Sequence, residues 1–221
     1  MEAELERLQS QGIIEPVQFS DWAAPIVPVP KSDGNIRICG DYKVTINRAA
    51  KLDKYPIPRI NDLFASLAGG KTFSKLDLSH AYQQIQLDEE SRQYVTINTH
   101  RGLFRYNRLP FGVSSAPSIF QRVMETLLQG IPGVCVYLDD ILITGHTEAE
   151  HLENLTEVLR RLAKGGMRLK KNKCAFMLDS VDYLGHTISA DGLRTSEAKI
   201  KGIVNAPTPQ NVSELRSFLG L

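Results

Sequence analysis

The stretch that decides the fold is Val134-Cys135-Val136-Tyr137-Leu138-Asp139-Asp140-Ile141-Leu142-Ile143-Thr144. Two apolar runs of strand length flank a pair of acids, which predicts two buried strands joined by a tight acidic turn. Two carboxylates about 4 Å apart repel by about 4 kcal/mol at an effective dielectric of 20, so a bound cation would relieve the turn. Such oxygen ligands favour Mg²⁺ or Mn²⁺ over Zn²⁺. The alternative is an ordinary hairpin turn, in which Asp is common.

A third acid, Asp77, follows the apolar run that begins at Thr72 and ends at Leu76. This run predicts a strand with Asp77 at its end. If that strand lies beside the acidic hairpin, the three acids would form a two-metal site for in-line phosphoryl transfer.

Hairpins and helices alternate along the first part of the chain. The turn signal at 32–35 predicts that Ile26 to Val29 pairs with Ile36 to Cys39, and the prolines between Pro25 and Pro30 predict an edge strand. A helix is predicted from Ile60 to Leu67. This interleaving favours an α+β fold, in which helices pack against a mainly antiparallel sheet.

Longer helices are predicted in the second half. Ser115 is a suitable cap for one, with Pro117 in its first turn. Thr147 and Glu150 form a capping box that starts another. The residues of this second helix that are predicted to face the core are Leu152, Leu155, Leu159 and Leu162. The last helical pattern, which begins at Ser213, has an uncovered apolar face, as expected for a fragment of a longer chain.

Composition and charge narrow the functional class. The chain has 221 residues, of which 42% are apolar, and this predicts a globular protein with a sizeable core. A formal net charge of +1 means that nucleic-acid binding would have to come from local clusters. The three cysteines lack metal-ligand spacing, so a reducing, intracellular setting is expected. No apolar run is long enough to span a bilayer, so no membrane partner is expected.

One local cluster is strongly basic. Its members are Arg160, Arg161, Lys164, Arg168, Lys170, Lys171 and Lys173, with no acid between them. Two interpretations are open at this point: a solvated helix face or a surface that binds phosphate groups.

The segments around the acidic hairpin resemble those of reverse transcriptases, and they occur in the family's order. Tyr137-Leu138-Asp139-Asp140 is similar to the family's acidic signature. The other similar segments are Lys31 to Tyr42, Leu76 to Tyr82, Leu109 to Gly112, Ser115 to Gln121, Gly166 to Cys174 and Tyr183 to His186. The ending, Leu215 to Leu221, resembles the start of the thumb in gypsy-type LTR retrotransposon polyproteins. Several ordered segments are more specific than any single motif.

This resemblance implies a polymerase right-hand fold. The fingers would comprise residues 1–52 and 85–115, and the palm would comprise residues 53–84 and 116–190, with an antiparallel sheet packed on helices. Residues 191–221 would form only the start of a thumb. The implied activity is that of an RNA- and DNA-templated DNA polymerase, a nucleotidyltransferase that adds dNTPs to a primer 3′ end.

The resemblance also implies roles for single residues. Asp77 and Asp139 would bind two Mg²⁺ ions, with Mn²⁺ as a substitute, while Asp140 would support the metal site. The carbonyl of Leu78 would be a further metal ligand. Lys173 would protonate the leaving pyrophosphate.

Two further sets of residues follow from the same resemblance. Those expected to bind the dNTP are Lys31, Arg37, Ala81, Tyr82, Phe111 and Gly112. Tyr82 would lie under the sugar and exclude a 2′-hydroxyl. Those expected to contact primer or template are Lys170, Lys171, Leu184, Gly185 and His186. Two positions depart from the family: Phe111 stands where some retroviral relatives carry glutamine, and Gly40 replaces a bulkier apolar residue.

The partners implied are an RNA template with a DNA primer, dNTPs, and downstream thumb, ribonuclease H and integrase domains of a polyprotein. The location implied is the cytoplasm, in virus-like particles, or the nucleus. Two alternatives stay open. One is a domesticated or truncated module that binds nucleic acid without polymerising it. The other is a metal-dependent nuclease that uses the same acids, although no residue is a candidate for positioning a hydrolytic water.

Overall fold

The computed structural model describes residues 1–30, 34, 36–50 and 55–220. The chain divides into two compact units. The first unit comprises Met1–Ile57, Leu78–Leu127 and Gly166–Arg168, and the second comprises Pro58–Asp77, Leu128–Gly165 and Leu169–Leu221. None of the described helices combines the length and apolar character that a membrane crossing requires.

Strands and helices interleave along the described residues. The strands are β1 (Ile14–Val17), β2 (Ala23–Pro30), β3 (Ile36–Gly40), β4 (Thr72–Asp77), β5 (Thr96–Thr99), β6 (Gly102–Tyr106), β7 (Val134–Tyr137), β8 (Asp140–Gly145), β9 (Ala175–Leu178), β10 (Ser180–Tyr183), β11 (His186–Ser189) and β12 (Gly192–Thr195). The α-helices are α1 (Glu2–Ser10), α2 (Ile46–Ala49), α3 (Ile60–Ser66), α4 (Glu89–Arg92), α5 (Ala116–Leu128), α6 (Glu148–Lys164), α7 (Glu197–Val204) and α8 (Val212–Leu219). The predicted α+β class is confirmed.

The first unit contains a sheet with the strand order β1-β6-β5-β2-β3. The predicted hairpin is confirmed, because β2 and β3 pair antiparallel with Val27 opposite Cys39 and Val29 opposite Arg37. Apolar side chains of α1 and of the sheet form one buried cluster, whose largest members include Leu5, Leu8, Ile14, Ile38, Tyr42, Ile97, Phe104 and Tyr106.

β2 stands between β5 and β3 in the strand order, but the segment from Pro25 to Pro30, predicted as an edge strand, is never paired on both sides. Residues Ala23–Pro25 pair in parallel with β5, whereas Ile26–Pro30 pair with β3. Proline lacks an N–H and normally interrupts an internal strand. Each half of β2 pairs with only one neighbour, and the prolines are therefore accommodated.

The second unit contains a four-stranded antiparallel sheet with the order β7-β8-β4-β9 and a smaller sheet with the order β10-β11-β12. The strand that ends at Asp77 lies directly beside the acidic hairpin, with Leu76 opposite Ile141, and so meets the condition set for a three-acid site. One face of the larger sheet, with Phe73 and Leu142, joins a buried cluster that also includes Leu63 of α3 and Tyr183 of β10. This packing holds β4 and β8 in place, and these are the strands that carry Asp77 and Asp140.

The start of α6 matches its predicted capping box. The Thr147 hydroxyl accepts a hydrogen bond from the Glu150 N–H at 3.2 Å, and the Glu150 carboxylate accepts one from the His146 N–H at 2.9 Å. The first bond satisfies an N–H group that the first turn of a helix leaves unpaired, and the second binds the residue before the cap, one position earlier than in a regular capping box.

The buried face of α6 differs from the predicted one. Leu155 and Leu162 are buried, but Leu152 and Leu159 are 45% and 37% exposed, so the prediction was wrong for these two. The buried face instead includes His151 and Asn154, and both have polar partners. The His151 Nε2 atom lies 2.8 Å from the Ser74 hydroxyl, and the Asn154 amide donates to the Thr144 carbonyl at 3.0 Å.

Candidate active site

Three acids lie at one end of the four-stranded sheet. Asp77 is the last residue of β4, and its Cα partner is Asp140, the first residue of β8. Asp139 precedes it in the two-residue turn between β7 and β8. Leu138, the other turn residue, has φ of 55°, a left-handed conformation that costs an ordinary side chain about 1–3 kcal/mol. The turn therefore carries the acidic pair directly opposite the end of β4.

The two acids of the turn have different environments. The Asp140 side chain is 28% exposed, whereas Asp139 is an exposed residue at the hairpin tip. The apolar strands therefore shield only one of the pair, because Asp139 lies beyond the last cross-strand partners. Burial raises the pKa of Asp140, nearby Lys75 lowers it, and the charges of Asp139 and Asp77 raise it further.

Two lysines bind these carboxylates. Lys173 Nζ lies 3.3 Å from Asp77 Oδ2, and Lys75 Nζ lies 3.4 Å from Asp140 Oδ2. Lys173 was a predicted site residue, whereas Lys75 was missed. The sequence did contain a signal for Lys75, since it stands two residues before Asp77 in a predicted strand. Side chains two apart in a strand lie on the same face.

The backbone carbonyls of Asp77 and Asp140 each accept a hydrogen bond. The Asp77 carbonyl accepts a hydrogen bond from the Lys170 N–H at 2.9 Å. The Tyr183 hydroxyl donates to the Asp140 carbonyl at 3.5 Å, and burial raises the pKa of Tyr183 well above its ordinary value. Tyr183 therefore stays a protonated donor. It was not predicted as a site residue, although it begins one of the matched segments.

The donor set fits a hard divalent cation in charge and in atom type, since carboxylate oxygens are the ligands that Mg²⁺ prefers. Across residues 1–30, 34, 36–50 and 55–220, no three His, Cys, Asp or Glu side chains converge closely enough to hold a metal ion as they stand. Two of the three acids bind lysine ammonium groups instead.

In the first unit, most of the predicted dNTP-binding residues come together. The Arg37 guanidinium lies 4.6 Å from the centre of the Phe111 ring, and the Tyr82 ring lies 5.2 Å from Phe111. Tyr82 also packs edge-on against Phe120, at 5.5 Å. Ala81 is buried next to Tyr82 in the chain. Lys31 lies outside the described residues.

Gly112 and Gly40 approach each other too closely for side chains. Gly112 has φ of 103°, and a Cβ atom built there would lie 2.1 Å from the Gly40 carbonyl oxygen. A Cβ on Gly40 would lie 2.4 Å from the ring of Tyr42. The closeness of the Tyr42 ring leaves room only for a small residue at position 40. The Gly40 N–H also donates to the Phe111 carbonyl at 3.3 Å, which fixes β3 to the segment that carries Phe111.

Gln84 was missed by the sequence analysis. Its amide donates to the carbonyls of Ser79 and Arg168 at 2.6 and 2.9 Å, and its side-chain oxygen accepts from the Arg168 N–H at 2.7 Å. Gln84 thereby holds the segment that directly follows Asp77. Its only sequence signal was its position two residues beyond the matched segment Leu76 to Tyr82.

The predicted primer and template residues of the second unit lie in two places. Leu184 and Gly185 form the turn between β10 and β11, and the His186 ring packs edge-on against Phe64 at 5.0 Å. Lys171 is exposed, and Lys170 is partly buried beside Asp77.

Two arginines of the basic cluster share one acidic partner. Arg160 and Arg161 both bind Glu157, at 2.7 Å, and these contacts lower the pKa of Glu157 to about 2. The solvated-face interpretation therefore describes this end of the cluster, whereas a phosphate-binding role of the lysines nearer Asp77 stays a prediction.

Comparison with known proteins identifies one family. A model described as reverse transcriptase (RNA-dependent DNA polymerase) matches residues 29–188. An uncharacterized protein of Caenorhabditis elegans is 40% identical over the whole chain, which covers 17% of that relative. The Pol polyprotein of the Drosophila melanogaster transposon gypsy is 36% identical, over 99% of this chain and 22% of the relative. The chain thus spans about a fifth of the length of the curated relatives it matches.

Solved structures give the same family. A foamy viral protease-reverse transcriptase in complex with double-stranded DNA superposes with a TM-score of 0.91 at 30% identity, over 96% of this chain and 37% of that one. The foamy viral protein in complex with an RNA/DNA hybrid gives a TM-score of 0.87 at 29% identity, over 98% of this chain and 29% of that one. The expected partial right-hand fold is therefore confirmed.

Proposed function

The chain belongs to the reverse transcriptase family, and from this premise we propose that it carries the polymerising chemistry of an RNA-directed DNA polymerase. The reaction is the addition of a dNTP to a primer 3′ end with release of pyrophosphate, copied from an RNA or DNA template. Among the relatives are Pol polyproteins of LTR retrotransposons, which suits an activity of this kind.

The observation that carries the proposal is the cross-strand pairing of Asp77 with Asp140, with Asp139 in the adjoining turn. Acids at this spacing repel one another, and their repulsion contributes to the raised pKa of Asp140. A site that gathers negative charge at a strand end gains free energy when a divalent cation binds there.

Asp77 and Asp139 are the side chains that we propose as ligands of two Mg²⁺ ions, for which Mn²⁺ is a substitute, and Asp140 supports them. When bound, the ions lower the pKa of the primer 3′-hydroxyl and neutralise charge on the triphosphate. Lys173 binds Asp77 in this structure. The Lys173 side chain is 57% exposed, so it is free to reorient and donate a proton to the leaving pyrophosphate. The Leu78 carbonyl stays a prediction as a further ligand.

The stack of Arg37, Phe111 and Tyr82 supports the dNTP-binding part of the proposal. An arginine held over an aromatic ring presents its donors in a fixed plane, which suits a phosphate group. Gly112 adds a close approach of backbone without a side chain. Lys31 stays a prediction for this set.

The nucleic acid proposed as partner is an RNA/DNA or DNA duplex, because solved relatives are complexes with double-stranded DNA and with an RNA/DNA hybrid. We assign the contacts to Lys170, Lys171 and the Leu184–His186 turn. The thumb, ribonuclease H and integrase functions are proposed for other parts of a polyprotein, and the cytoplasmic, particle-bound location is proposed with them.

Primer extension tests the proposal. The 221-residue chain is given a DNA primer on RNA and on DNA templates with Mg²⁺, beside an Asp139→Asn variant. Wild type is expected to extend the primer on both templates, and the variant is expected to lose at least about a hundredfold in rate, because removal of one metal ligand costs several kcal/mol. Asp179→Asn serves as the matched control, since Asp179 is an exposed acid outside the three-acid group.

Each other outcome points to a named alternative. Duplex binding without extension would favour a module that binds nucleic acid, and a shortened primer would favour a nuclease. Extension that is unaffected by Asp139→Asn would remove Asp139 from the metal site.

A further inference from the structure

Lys75 is a charged residue that lies, on one face of the four-stranded sheet, between the apolar cluster of Phe73 and Leu142 and the acids at the strand ends. It lies between Phe73 and Asp77 on the same face of β4, and its cross-strand partner on β8 is the buried Leu142. The Lys75 side chain is only 27% exposed. An ammonium group placed at the margin of a core costs free energy unless a partner compensates it, so an apolar residue would be the stabler choice at this position.

Two partners surround the Lys75 ammonium. Its Nζ atom lies 3.4 Å from Asp140 Oδ2 and 5.7 Å from the centre of the Tyr183 ring. The Tyr183 hydroxyl in turn donates to the Asp140 carbonyl. Asp140 is therefore held twice, through its carboxylate by Lys75 and through its backbone by Tyr183. Cation–π contact with the ring limits where the ammonium can move.

The two lysines of the site differ in how readily they can be displaced. The Lys173 side chain is 57% exposed in the short helical turn Lys171–Lys173, which precedes β9. The Lys75 side chain is 27% exposed within an inner strand of the sheet. An incoming cation can displace the ammonium of Lys173 from Asp77, because that side chain can turn into solvent. The less exposed Lys75 side chain cannot turn into solvent in this way, so its ammonium stays paired with Asp140.

We propose that Lys75 is a positioning residue, which holds the Asp140 carboxylate by an ion pair and so keeps this third acid from joining the cations bound by Asp77 and Asp139. The proposal deepens the function proposed above and rests on it. Lys75 does not touch substrate. It acts through Asp140, and it restricts the metal site to two acids so that the remaining coordination positions stay open for phosphate and hydroxyl oxygens.

A double-mutant cycle separates this role from a general effect of charge. The variants are Lys75→Met, Asp140→Asn, the double variant, and Lys75→Arg, which keeps the charge. Lys71→Met is the matched control, because Lys71 is exposed and directly precedes β4. The first readout is Mn²⁺ binding in the absence of nucleotide, measured as free Mn²⁺ by electron paramagnetic resonance. The second is the rate of primer extension at saturating Mg²⁺.

Loss of the ammonium frees a carboxylate for the metal site, so Lys75→Met is expected to bind Mn²⁺ about tenfold more tightly and to extend primers about tenfold more slowly, each equivalent to about 1.4 kcal/mol. Lys75→Arg and Lys71→Met are expected to stay within about twofold of wild type. In the Asp140→Asn background, Lys75→Met is expected to change neither quantity by more than about twofold, because its partner is already gone.

Three results distinguish the two proposals. An undiminished effect of Lys75→Met in the Asp140→Asn background would show that Lys75 acts only as distant charge, and this overturns the positioning role. A Lys75→Met variant that matches wild type in both readouts overturns it too, while extension by wild type leaves the polymerase proposal standing. The expected Mn²⁺ pattern without any primer extension supports the role of Lys75 and counts against the polymerase proposal instead.

Discussion

The guanidinium carbon of Arg37 lies 4.6 Å from the centre of the Phe111 ring, and the ring of Tyr82 lies 5.2 Å from the same ring. Stacking fixes the plane of the guanidinium and leaves its outer donors available. Phe111 therefore links a cation suited to phosphate with an aromatic ring suited to a sugar. Both expectations can be tested separately.

Replacement of Arg37 by alanine is expected to raise the KM for dNTP by about tenfold to a hundredfold, because hydrogen bonds to a charged group contribute about 1.5–3 kcal/mol. Arg37→Lys keeps the charge but loses the planar stack, so an intermediate KM is expected. Steady-state primer extension over a range of dNTP concentrations gives these values. Arg48→Ala is the control, since Arg48 is exposed in α2. Equal KM values for wild type and Arg37→Ala would remove Arg37 from the dNTP site.

Tyr82→Ala is expected to admit ribonucleotides. The Tyr82 ring is held by Phe111 and Phe120, and a ring fixed in this way can exclude a 2′-hydroxyl by contact. We expect the ratio of kcat/KM for dNTP to that for the matching ribonucleotide to fall by about tenfold or more. Tyr82→Phe keeps the ring and should keep the ratio. Unchanged sugar selectivity in the alanine variant would contradict the role.

Gly112→Ala is expected to destabilise the first unit more than Gly102→Ala does. Both glycines have φ of 103°, but an added Cβ meets the Gly40 carbonyl only at position 112, and nothing lies within 4 Å of it at position 102. The strain of positive φ is thus common to both variants and costs about 1 kcal/mol, whereas the collision adds about 1–3 kcal/mol. Urea unfolding compares the two. Equal midpoints would mean that the backbone at Gly40 yields without cost.

His151 is expected to make stability depend on pH. Burial lowers its pKa below the ordinary value, so between that lowered pKa and about 6.5 the unfolded chain binds more protons than the folded one. The free energy of unfolding should be at its full value above pH about 6.5 and should fall as the pH decreases below it. Urea unfolding at several pH values measures this slope.

The matched control for that slope is an exposed histidine. His151→Gln should flatten the dependence of unfolding on pH, whereas His100→Gln should leave it unchanged, since the His100 side chain is 47% exposed. A slope that survives in His151→Gln would assign the pH dependence to other groups.

The acidic hairpin and the strand beside it could be predicted because their signals are local. Apolar runs, a turn and an acid at a strand end predicted the two strands of the hairpin and the strand that ends at Asp77, and the structure has all three. The start of α6 could also be predicted, since a capping box involves residues only three apart. The exposure of Asp139 could not be predicted, because it depends on which residues form the last cross-strand pair of the hairpin.

The wrong and missing predictions concern residues whose burial or ion pairing depends on a second element of the structure. Helical spacing alone allowed Leu152 and Leu159 to face the core, but the sheet offers hydrogen-bonding partners to His151 and Asn154, and this rotates the buried face of α6. Lys75 was overlooked for a similar reason. Its meaning depends on a carboxylate 65 positions later in the chain, and a single strand gives no hint of that partner.

The mutual fit of Gly40, Tyr42 and Gly112 constrains how this family member can diverge. A side chain at position 40 requires the Tyr42 ring to leave its place, and one at position 112 requires the backbone at position 40 to retreat. Each step is costly when taken alone and cheaper once the others have occurred. The three positions therefore form an epistatic unit, and in this chain a bulkier residue at position 40 requires the Tyr42 ring to take another orientation at the same time.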